Sequence, residues 1–206
     1  MSKLKINNQS YKLNSENYIK SHHSKQQIVL ANTFSTNMNH FKGWSKRHGG
    51  LFNRTAPFTI DTYGNVYQHF SPEYYSKFFS IGGLDEHIIP ILIENEGWLE
   101  KDIHTNEYID YVGNIYNRKD SVVEKSWRDH NFWAPYTKEQ LDSAIKLSKY
   151  LCVEFGIPRE AISHNTKFDG IYDFSGVVYK SNYNKHYSDL TPAWDYVNFK
   201  NELDKN

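Results

Sequence analysis

Apolar residues in this chain are gathered into short runs whose spacing changes from one run to the next. Ile28-Val29-Leu30-Ala31 forms a continuous run within residues 27–32. It is too short for a helix and flanked by polar residues, so it predicts a buried strand. Beyond it, Met38, Phe41 and Trp44 recur at helical spacing. Ser35 or Thr36 can cap that helix, and Gly49-Gly50 can end it. Phe58-Thr59-Ile60-Asp61 and Val66-Tyr67-Gln68-His69-Phe70 alternate on either side of Thr62-Tyr63-Gly64-Asn65, the pattern of a β-hairpin. Residues 88–94 are almost all Ile and Leu, a strand covered on both faces. Pro90 has no N–H to give to a ladder, so an edge or a bulge is expected there.

The clearest periodic segment comes later. Thr137 and Gln140 form a capping box. Leu141, Ala144, Ile145, Ser148, Leu151, Cys152 and Phe155 share one helical face, Gly156 ends the helix and Pro158 prevents its resumption. Residues 98–133 are polar and aromatic with no dominant period; only residues 108–116 read as a small hairpin, around Gly113-Asn114. Residues 1–26 are rich in Asn, Ser and Lys, with Tyr11, Leu13 and Tyr18 as scattered anchors, and read as an extended arm. Strands and helices interleave. The expected fold is therefore α/β: a single domain over residues 27–206, with a central mixed sheet flanked by helices and residues 98–133 as an insertion.

Composition narrows the functional classes. The 206 residues suffice for one substantial core. Lys plus Arg number 24 and Asp plus Glu 24, so neither charge balance nor any basic stripe argues for nucleic acid or acidic lipid as partner. Aromatics make up 16%, which serves packing first and groove-lining second. Cys152 is the only cysteine, so no internal disulfide forms, and its place on the apolar helix face makes it core rather than nucleophile. No run approaches the roughly 20 apolar residues of a membrane span. The polar N-terminus does not read as a signal peptide.

Three separated segments carry the candidate chemistry: Ile28-Val29-Leu30-Ala31-Asn32-Thr33, Ile162-Ser163-His164-Asn165, and Ser188-Asp189-Leu190-Thr191-Pro192-Ala193-Trp194-Asp195. Together they resemble the zinc-bearing segments of the N-acetylmuramoyl-L-alanine amidase family, which includes amidase-type phage lysozymes and peptidoglycan recognition proteins. Residues 56–68 also resemble that family's hairpin, and Ile91-Leu92-Ile93-Glu94-Asn95-Glu96-Gly97 resembles its Glu-bearing strand. The resemblance implies an amidase-like fold, with zinc held by His164 and Asp189 and with Glu94 orienting the attacking water. Asn32, Tyr187 and Trp194 would contact substrate. The implied reaction cuts the amide between the lactyl group of muramic acid and L-alanine, in peptidoglycan.

The chain departs from that pattern in several places. The family's first ligand falls at Ala31, which has no lone pair, and two ligands hold zinc poorly. The family's other histidines fall at Pro57 and Ser80, and its Lys falls at Tyr187. His69 and His87 are conceivable replacement ligands. Residues 167–186 read as an inserted loop over the site. The expected cofactor is zinc in an active enzyme and none otherwise. The rival expectation is an inactive peptidoglycan-binding or virion module that keeps the fold, with other virion proteins as further partners. In either case synthesis is expected in the cytoplasm, of a host if the source is a phage, with action at the cell wall after release or within a virion.

Overall fold

In the structure, a computed structural model describing residues 4–36, 38–44, 54–187 and 190–205, the two most apolar runs lie side by side. The strands are β1 (Ile6–Asn7), β2 (Gln27–Asn32), β3 (Phe58–Ile60), β4 (Val66–Gln68), β5 (Ile88–Ile93), β6 (Trp98–Lys101), β7 (Tyr108–Asp110), β8 (Val123–Trp127), β9 (His130–Trp133) and β10 (Gly176–Tyr179). The helices are α1 (His40–Trp44), α2 (Lys138–Phe155), α3 (Lys180–Tyr183) and α4 (Tyr196–Asp204). The main sheet has the order β1-β4-β3-β5-β2-β10. β3, β5, β2 and β10 are mutually parallel, and β4 is antiparallel to β3.

Every residue of β2 and β5 is buried, as expected of parallel strands covered on both faces. The pleat sorts their side chains. Ile28 and Leu30 face α2, packing with Leu141, Ile145 and Leu151. Val29, Ala31 and Leu92 face the other layer, with Phe41, Phe78, Phe79 and Val178. α2 forms as its sequence directs. Thr137 accepts the Gln140 N–H (3.1 Å), Gln140 Oε1 accepts the Thr137 N–H (3.0 Å), and Gly156 closes the helix at φ 65°. Cys152 is buried and its thiol is pushed up to about 11 by burial, which suits a core residue.

Four expectations need correction or completion. Pro90 sits in a central strand, opposite Val29. It is tolerated because β3 begins opposite Ile91, so on that side no ladder donor is required at Pro90. Residues 167–186 are not simply a loop, because they contain β10, a fully buried strand of the main sheet, and α3. Residues 98–133 build a second, antiparallel sheet in the order β7-β6-β9-β8. Its hairpin at residues 108–116 turns at Gly113 (φ 90°) and closes through an Ile109–Ile115 bridge. The first helix is short, and Ser35 bridges Asn95 rather than starting it. Gly49 and Gly50 fall outside the described residues. No described helix is long and apolar enough to cross a membrane.

Thr137 caps α2 and also donates its hydroxyl to the Thr62 carbonyl (3.0 Å). Thr137→Ala is expected to cost about 1–2 kcal/mol in urea unfolding. Val153→Ala, on the exposed face of the same helix, is expected to change stability little.

Candidate functional site

Four parallel strands deliver the residues at their carboxyl ends to one edge of the sheet, where ligand sites of open α/β sheets collect. In spatial order these are Asp61 after β3, Glu94 after β5, Ala31-Asn32 at the end of β2, and Lys180 after β10. A groove of about 510 Å³ opens beside this edge, lined by Thr36, Thr62, Tyr63, Glu96 and Arg118 among others.

Glu94 is 2% exposed, and its Oε1 has no hydrogen-bond partner. Burial, reinforced by the nearby Asp61 charge, raises its carboxyl to about 7, against the opposing effect of the Thr62 backbone. Asp61 is held by four donors: the Tyr63 and Asn65 N–H groups, Asn65 Nδ2 and the Tyr67 hydroxyl. Asn32 accepts the Phe34 N–H (2.7 Å), while its buried Nδ2 lacks a partner. Two unpartnered polar groups, Glu94 Oε1 and Asn32 Nδ2, thus sit on adjacent strand ends.

Lys180 was not singled out in the sequence. The last registered pair of β10 and β2 is Tyr179 with Leu30, and Lys180 follows it as the first residue of α3. Its ammonium lies 4.5 Å from the Phe78 ring centre and 5.9 Å from that of Phe79, in the same layer as Ala31. The signal that could have found it is the run Gly176-Val177-Val178-Tyr179, short enough to be a buried strand, with Lys180 at its end.

The other expected residues scatter. His164 lies beyond β10, on a segment joined to it through the Ala161–Val177 bridge. Its ring packs against Tyr179 (5.6 Å) and Tyr196 (5.9 Å), rings that pack on the α2 side of the sheet, opposite Ala31. Neither ring nitrogen finds hydrogen-bonding geometry. Burial, helped by the Lys125 charge and only partly offset by the Thr191 backbone, lowers the imidazole to about 4. Tyr187 stacks on Phe79 (5.7 Å). Trp194 is core, 3% exposed, with its indole N–H donated to the Tyr179 hydroxyl. Asp189 lies outside the described residues.

The proposed replacement histidines do not reach this edge. Both nitrogens of His69 are engaged, by the Tyr11 carbonyl and Thr59 Oγ1. His87 precedes β5, at the opposite end of the sheet.

The profile of the N-acetylmuramoyl-L-alanine amidase family matches residues 14–176. The chain belongs to that family. Among curated proteins no sequence match is found. Among solved structures, the N-acetylmuramoyl-L-alanine amidase LysC from Clostridium intestinale is 15% identical over the whole of both chains, with a TM-score of 0.53. PlyL is 11% identical over 100% of this chain and 98% of its own, at a TM-score of 0.55. E. coli AmiD, solved with anhydro-N-acetylmuramic acid-L-Ala-D-gamma-Glu-L-Lys, is 13% identical over 89% of this chain and 59% of its own, at 0.56. These likenesses are of fold. The mixed α/β architecture is that of the amidases, and the family match stops before Lys180.

The zinc implied by that family does not fit the residues described here. Ala31 offers a methyl group, and His164 packs on the other face of the sheet. A catalytic zinc needs three protein ligands. The one group of three converging donors among the described residues, His23, Glu86 and His87, lies at the opposite end of the sheet.

The raised carboxyl of Glu94 has a pH signature. In the folded protein it keeps its proton up to about 7, whereas the unfolded chain releases it near 4.5. Its contribution to stability therefore falls as pH rises from about 4.5 to about 7. His69 and His164, both lowered to about 4, act oppositely, losing stability as pH falls from 6.5 toward 4. The difference between wild type and Glu94→Gln isolates the carboxyl. The variant should match wild type near about pH 4 and exceed it by on the order of 3 kcal/mol near about pH 8 in urea unfolding. A difference that stays constant across that range would mean that Glu94 ionises normally.

Proposed function

We propose that this member of the amidase family binds the muramyl peptide of peptidoglycan at the carboxyl edge of its sheet and does not hydrolyse it by zinc chemistry. One observation carries the reading: Ala31 stands where the family pattern calls for a metal ligand, and the ring of His164 packs on the opposite face of the sheet. The groove supports peptide binding. It offers the hydroxyls of Thr36 and Thr62, the exposed ring of Tyr63 and the Arg118 guanidinium, which pairs with Glu96 at 3.4 Å. Glu94, neutral below about pH 7, is suited to donating a hydrogen bond to a buried carbonyl.

Purified sacculi test this reading. The protein is expected to sediment with them and to release no new L-alanine amino groups, with or without added zinc. Ala31→His alone is expected to leave both results unchanged, because His164 packs on the other face of the sheet. Release of amino groups that a chelator abolishes would overturn the proposal, as would failure to sediment.

A further inference from the structure

At the end of the sheet away from the groove, three side chains from two distant segments converge. His23 comes from the stretch before β2. Glu86 and His87 come from a short 3-10 turn, Asp85–His87, that leads into β5. One donor atom from each lies within 4.8 Å of the others. His23 Nδ1 is 3.4 Å from Glu86 Oε2. That spacing is about what two ligands show across a tetrahedral ion with bonds of about 2.0–2.1 Å.

The imidazoles are already oriented. His87 Nδ1 meets the Ser24 carbonyl at 2.8 Å. A carbonyl only accepts, so Nδ1 carries the proton and Nε2 keeps its lone pair, with no partner of its own. His23 Nε2 lies 3.0 Å from Ser21 Oγ, which can accept its proton and free Nδ1 for a ligand. Each histidine thus has one nitrogen anchored by its own chain, and the three residues bring one donor atom each within 4.8 Å of the others, as where outer partners orient metal-binding imidazoles. Lys25 is the nearby cation. Its ammonium donates to the backbone carbonyls of Glu86 (2.8 Å) and Tyr74 (3.1 Å), not to the Glu86 carboxylate. The carboxylate remains available.

We propose that His23, Glu86 and His87 bind a divalent transition-metal ion of the zinc class, which clamps the N-terminal arm to the start of β5. Two imidazole nitrogens and one carboxylate oxygen suit zinc, cobalt or nickel and leave a fourth position to water. The ion would tie together positions 63 and 64 residues apart in sequence, so its binding stabilises the folded state. It would stand at the opposite end of β5 from Glu94, roughly 20 Å away for a six-residue strand, and take no part in the groove.

The test uses the full chain stripped of metal, titrated with zinc chloride by calorimetry and followed by thermal unfolding. Cobalt absorption in the visible reports the ligand geometry. One equivalent of zinc should bind and raise Tm, and cobalt should give the intense visible bands of a tetrahedral site. His23→Gln, Glu86→Gln and His87→Gln should each weaken binding by more than roughly tenfold. His164→Gln and Lys180→Ala should leave it intact, which locates the ion. His23 lies on the arm, so His23→Gln with an unchanged far-UV spectrum suffices if a variant of the 3-10 turn fails to fold. Absence of zinc binding, binding that His23→Gln and His87→Gln leave unchanged, or binding without a rise in Tm would overturn the proposal.

Discussion

The parallel register of β10 against β2 determines what the candidate groove can contain. Alternation along the pleat places Val178 and Lys180 in the layer of Ala31, and Tyr179 on the face of α2. A slip of one residue would exchange the two sets. Two features hold the register. Gly176 has φ 148°, and a Cβ there would lie 2.6 Å from the Glu160 carbonyl oxygen, so only glycine lets the strand start where it does. Gln27, buried in β2, donates to the carbonyls of Ile171 (2.6 Å) and Phe174 (2.7 Å) and accepts the Tyr183 hydroxyl, gripping the chain before and after β10.

That register divides the edge electrically. On one side of β2, Asp61 and Glu94 stand together. Four donors engage the Asp61 carboxylate, whereas Glu94 has an orphaned oxygen and burial raises its carboxyl to about 7. On the other side, the Lys180 charge rests on aromatic faces and lies near Asp85, whose carboxylate accepts the Phe79 and Ser80 N–H groups.

Local signals made much of this fold legible. The continuous apolar run of β2, the alternating hairpin and the capped, Gly-terminated α2 each carry their instructions within a few residues, and each formed as expected. Where the outcome depended on distant partners, local pattern failed. Pro90 argues for an edge when read alone, yet it occupies a central strand because β3 begins one residue later. The strands of residues 98–133 are short and half-exposed, and acquire meaning only through pairing with one another. β10 has four residues and hid inside a polar stretch. His164 follows the expected order along the chain, and its ring packs against Tyr179 and Tyr196. At the site, residue type was legible at Ala31 and Glu94. The placement of Lys180 depended on the pairing of β10, which no local period encodes.

The N-terminal arm illustrates the same dependence on distant partners. Its residues carry almost no periodic signal, yet they are tied along one side of the domain. β1 adds to β4 in parallel, Ile19 bridges Tyr75, and Tyr18 stacks on Phe70 at 4.6 Å. Lys25 is the firmest of these ties. It is 6% exposed, burial lowers its ammonium to about 8, and two backbone carbonyls receive its protons. A buried ammonium is costly unless its donors are satisfied, so the carbonyls of Tyr74 and Glu86 must hold their positions whenever the arm is docked. That requirement fixes the 3-10 turn carrying Glu86 and His87 relative to the segment carrying His23. The polar arm, which looked like an appendage, thereby sets the geometry of the three donors that converge at the far end of the sheet.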